Sequence, residues 1–109
     1  VVASGFLLNG NYMKKQVNAA LQVIPKSAPK EMYGIIDKAI EKIADSGLRY
    51  QVCPFETVVE GPQDKIFELI DTLQQTVLTA GADEVLINIK LHAGKEDMHI
   101  EDKMEKYDS

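Results

Sequence analysis

Gly47-Leu48-Arg49-Tyr50-Gln51-Val52-Cys53-Pro54-Phe55-Glu56-Thr57-Val58-Val59-Glu60-Gly61 decides the fold of this 109-residue chain. The stretch follows an amphipathic segment and reads as two short strands folded back through the Pro54-Phe55 corner. A hairpin requires apolar side chains on one face and a turn between its halves. It does not require a hydroxyl and a carboxylate beside Val58 and Val59, so Thr57 and Glu60 stand out as candidate site groups.

Upstream, Met32, Ile35, Ile36, Ala39, Ile40 and Ile43 recur at helical spacing and form one apolar stripe. Ser27-Ala28-Pro29 starts that helix, because a proline at the first helical position gives up an N–H that has no partner there. Gly47 ends it, where a left-handed residue is commonly needed. Before the helix, Val17 to Ile24 alternates as a strand, and Pro25 is expected to stop it.

Downstream the plan recurs. Pro62 opens a second helix with a stripe of Ile66, Leu69, Ile70, Leu73 and Val77, and Gly81 closes it. Glu84 to Leu91 is a strand, with Val85, Ile87, Ile89 and Leu91 on one face and Leu86, Asn88 and Lys90 on the other. A shift of 34 residues lays Met32 on Ile66, Ile35 on Leu69, Ile43 on Val77 and Gly47 on Gly81. Two strand–helix–strand units therefore follow one another, too few for a solenoid. The pattern predicts an α+β, ferredoxin-like βαββαβ sandwich: a four-stranded antiparallel sheet with two helices on one face. Residues 15–93 form the domain. Met13-Lys14-Lys15 looks like a start, so residues 1–14 are read as an extension; residues 94–109 are read as a charged tail, either a short helix over 98–106 or a frayed end.

The length suits one modest core. With a net charge of −5 and Arg49 as the sole arginine, nucleic acid is an improbable partner. No apolar run is long enough to cross a bilayer, so no membrane partner is expected. Cys53 is the single cysteine and cannot pair within the chain, which suits a reducing cytoplasm. His92 and His99 are too few for a metal site, so neither metal nor cofactor is expected.

Helices on one face leave the other face open. It carries Asn18, Ala20, Gln22 and Ile24 from the first strand, Arg49, Gln51 and Cys53 from the second, and Leu86, Asn88 and Lys90 from the last. This mixture is too apolar for plain solvent and too polar for plain core; it reads as a subunit contact enclosing a polar pocket.

Taken together, the Leu21-Gln22-Val23-Ile24-Pro25 strand end, the Ser46 to Val52 turn, the hairpin from Pro54 to Gly61 and the Ala80 to Lys90 finish resemble the small thiamine-binding protein family of bacteria and archaea. The resemblance covers roughly residues 15–91. It implies a ferredoxin-like domain that assembles through its sheets into a homo-oligomer, dimer or tetramer, and binds thiamine or a related pyrimidine without catalysis. Carried over by position, the family's hairpin pattern falls on Pro54, Thr57, Glu60 and Gly61, and its strand ending on Asn88, Ile89 and Lys90. Phe55-Glu56 stand where small or flexible residues are usual in that pattern.

Thiamine offers a flat aminopyrimidine, a permanently charged thiazolium and a hydroxyethyl arm. Phe55 or Tyr50 would stack on a ring, a cation–π contact with the thiazolium being worth about 0.5–2 kcal/mol. Glu60 or Glu56 would accept from the amino group or offset the charge, and Thr57, Asn88 and Gln22 would hydrogen-bond the ring or hydroxyl. The expected ligand residues are thus Gln22, Phe55, Thr57, Glu60 and Asn88, with no catalytic residue. Plainer readings exist for each: Thr57 as a strand former, Glu60 as a charge near a helix start, Phe55 as a hairpin plug. The alternative function is an oligomeric regulatory or scaffolding module with no small ligand. A phosphate-handling enzyme is disfavoured, because the loop at Pro25 to Lys30 has neither arginine nor glycine. An RNA-binding sheet is disfavoured because the first and last strands carry no aromatics on their exposed faces.

Overall fold

The chain alternates strand and helix twice over, and the computed structural model describes residues 14–107. Strand β1 (Gln16–Lys26) leads to helix α1 (Pro29–Asp45), then β2 (Arg49–Val52), β3 (Thr57–Pro62), α2 (Gln63–Thr79), β4 (Glu84–His92) and a short helix α3 (Ile100–Met104). The reading of residues 1–14 as an extension falls, Lys14 aside, outside the described residues. Helices α1 and α2 are the same length and start 34 residues apart, as the internal repeat requires. Gly47 and Gly81 both hold positive φ, +78° and +120°, which is why neither helix end tolerates a side chain easily.

The sheet is antiparallel throughout, in the order β2-β3-β1-β4. Register sorts the strand residues onto two faces. Val17, Ala19 and Leu21 stand opposite Gly61, Val59 and Thr57, and meet the buried stripes of α1 (Ile35, Ala39, Ile43) and α2 (Ile66, Leu69, Leu73, Val77). Gly61 lies so close to Leu48 that an added Cβ would sit 2.6 Å from the leucine's Cδ2; glycine lets the hairpin's base close on that side chain.

One expectation is corrected here. Pro25 does not stop β1, which continues through it to Lys26, opposite Glu84. Pairing with β3 ends at Leu21, so the last five residues of β1 have β4 alone as a neighbour. A proline's missing N–H is tolerated where one side of a strand has no ladder to complete.

Candidate functional site

The place where β3 runs out is the first feature of interest. The turn between β2 and β3 is closed by the Cys53 N–H donating to the Glu56 carbonyl at 3.0 Å, and β3 starts only at Thr57. Beyond Leu21 the margin of β1 is therefore bare of a β3 partner, and a cavity of about 330 Å³ opens between that margin, the turn and the flank of α1. Gln22, Phe55, Glu56 and Thr57 line it together with Ile36 and Ile40 of the helix. Thr57 is buried on the helix side of the sheet, while Phe55 is 83% exposed and presents its ring at the rim. No lysine or arginine lines this cavity. Its carboxylate, Glu56, lies 3.4 Å from the Lys90 ammonium.

The open face carries the remaining expected residues. Asn88 donates its Nδ2 to Gln22 Oε1 at 3.1 Å across the β1–β4 pair, so Asn88 reaches the cavity only through Gln22. Glu60 lies on the same face but opposite Asn18, four residues along β1 from Gln22, about 13 Å at the usual strand rise. It is 6% exposed, and its oxygens serve the chain itself. Glu60 Oε1 accepts from the Ile100 N–H at 2.6 Å and from Asn18 Nδ2 at 3.3 Å; Oε2 lies 3.8 Å from Arg49 Nη1. His99 Nδ1 stands 3.8 Å from the same carboxylate.

Those bonds fold the tail back onto the sheet. The Gln16 N–H donates to Asp97 Oδ1 (3.0 Å), the Met98 N–H to the Gln16 carbonyl (2.9 Å), and Asn18 Nδ2 to the Met98 carbonyl (3.1 Å). The short helix foreseen over 98–106 forms at Ile100–Met104 and is docked. A groove of about 410 Å³ separates α3 from the sheet, with Ala20, Val58, Leu91 and Met104 among its walls. Asn18 also lines it; with both Nδ2 bonds spent, its buried Oδ1 has no hydrogen-bond partner among the described residues. An unmet buried acceptor costs about 1–3 kcal/mol, so a donor there would be welcome.

Of the five expected ligand residues, then, the cavity gathers Gln22, Phe55 and Thr57, Asn88 touches Gln22, and Glu60 lies apart beneath the tail. Glu56, named only as an alternative acceptor, lines the cavity with them. Asn18 was not singled out, yet its signal was legible: an amide inside an apolar strand, in register with a carboxylate inside another. Among the described residues no group of three or more His, Cys, Asp or Glu is arranged to hold a metal ion, and no helix is long and apolar enough to cross a membrane.

Comparison with known proteins bears on this geometry. A family model described as thiamine-binding protein matches residues 19–108. A UPF0045 protein of Clostridium perfringens is 31% identical over 90 residues, covering 83% of this chain and 95% of its own length. A Bacillus cereus structure described as a domain of unknown function, DUF77, superposes with a TM-score of 0.83 at 38% identity, over 89% of this chain and 94% of its own. A Thermotoga maritima structure, described as a candidate thiamine biosynthesis/salvage protein, matches with a TM-score of 0.78 at 28% identity, over 84% and 98%.

Proposed function

The chain belongs to the thiamine-binding protein family, and from that premise we propose that it binds thiamine, or a related pyrimidine, in the cavity beneath the β2–β3 turn and releases it chemically unchanged. The observation that carries this reading is the convergence of Gln22, Phe55 and Thr57 on the unpaired margin of β1. A flat ring entering there meets the face of Phe55 and the apolar flank of α1, with the hydrogen-bonding groups of Thr57 on the helix side and of Gln22 at the strand margin. The electrostatics suit a cation. Glu56 is the one charged residue of the lining, its partner Lys90 standing outside it, so a thiazolium gains a counter-charge shared with Lys90 and an aromatic face, the latter worth about 0.5–2 kcal/mol. Asn88 fixes the Gln22 amide rather than touching the ligand. The thiamine biosynthesis or salvage role suggested for the Thermotoga relative supports the same ligand class.

The proposal extends to assembly. Ile24 and Leu86 face each other on the half of the open face that α3 leaves uncovered, with Leu86 56% exposed, and a second copy of the chain would cover them. The bound form is thus a homo-oligomer, at work in the cytoplasm. Titration calorimetry with thiamine decides the binding: heat and a thermal shift support it, and neither at millimolar ligand removes it. Mass spectrometry of the recovered ligand checks that it is unaltered. Light scattering of Leu86→Glu against the parent chain checks the contact, with a fall in mass expected.

A further inference from the structure

We infer that the groove between α3 and the open sheet face is a second ligand site, shaped for a phosphorylated heterocycle that bears an amino group. Three properties of the groove converge on that chemistry. Its walls are largely apolar, with Ala20 and Val58 on the sheet and Ile100 and Met104 on the helix, which suits a ring. Its inner polar group is Asn18, 6% exposed, whose Nδ2 is committed to Glu60 and the Met98 carbonyl. What Asn18 has left is Oδ1, an acceptor without a partner among the described residues. An amino group on a ring satisfies it, whereas a ring carbonyl would set one acceptor against another.

The third property is charge. Lys90, His92 and Lys103 line the groove and no acidic residue does, although the chain as a whole carries −5. Lys90 shares its ammonium with Glu56, so Lys103 of α3 is the principal cation for an anionic arm. A thiazolium would be repelled here and a phosphate held. The hairpin cavity differs: its one charged lining residue is Glu56, and the partner of that carboxylate, Lys90, lines the groove instead. The two sites therefore sort ligands by charge, and the second does not depend on the first.

Titration of the full chain with CMP, cytidine and UMP tests the inference. CMP carries both the amino donor and the phosphate; cytidine lacks the phosphate, and UMP replaces the amino group with a carbonyl. CMP is expected to bind roughly tenfold more tightly than either, the margin of one charged or one buried hydrogen bond. Lys103 is exposed, so Lys103→Gln should fold normally, reduce CMP to the cytidine level and leave the thiamine titration unmoved. No heat with CMP, equal binding of CMP and cytidine, equal binding of CMP and UMP, or a Lys103→Gln chain that holds CMP undiminished overturns it.

Discussion

The two ends of the central strand solve the same problem in opposite ways. At the Gln22 end, β3 stops short and the bare margin of β1 becomes one wall of a cavity with no basic lining residue. At the Gln16 end β1 keeps its β3 partner, and the chain returns its own tail to cover the open face, pinned by Asp97, Met98 and Ile100. The first region leaves a void because a strand is missing; the second makes one because a helix is added. Polar residues on a small sheet thus have two fates: Glu60 and the Asn18 Nδ2 are spent on holding structure, while Thr57 is left facing a cavity.

The contrast can be broken at its strongest point first. Glu60→Leu removes the acceptor for the Ile100 N–H and for Asn18 Nδ2, and should cost about 2–3 kcal/mol in urea unfolding. Amide exchange over 98–104 should rise with it, while thiamine binding stays intact. If the loss is negligible, the tail is not held by that carboxylate. Next, Phe55→Ala should weaken thiamine by about 0.5–2 kcal/mol in calorimetry. It should leave the unfolding midpoint in place, since the ring is so exposed. Asn88→Ala should act more gently, lowering stability by about 0.5–1 kcal/mol through the lost Gln22 bond, with a matching small drop in thiamine affinity. The smallest effect belongs to Lys90→Gln. Its pair with Glu56 is exposed and worth about 0.2–1 kcal/mol, so stability should barely move, yet thiamine should bind slightly better at low salt once Glu56 is released.

Much of the fold was legible in the sequence because it rests on local periodicity. The stripes of Ile35, Ala39 and Ile43 and of Ile66, Leu73 and Val77, repeated at a fixed offset, define two helices on one face, and strand alternation then assigns Gln22 and Asn88 to the other. What escaped was decided by partners distant in the chain. Pro25 reads as a stop by its own chemistry, and only the early end of β3 explains why β1 passes through it. The segment after Gly94 reads only as a charged tail, and nothing near it shows that Asn18 and Glu60 wait to receive the Met98 carbonyl and the Ile100 N–H. Thr57 and Glu60 look alike in the hairpin, three positions apart; register puts them on opposite faces and so gives them different work.

Helix α3 supplies Ile100, Lys103 and Met104 to the groove and nothing to the hairpin cavity. Mutation in that final segment can therefore recharge, lengthen or erase the groove while the hairpin cavity is inherited untouched. Among relatives, divergence should accumulate fastest in those closing residues, and a lineage could acquire a new effector there without surrendering its older ligand.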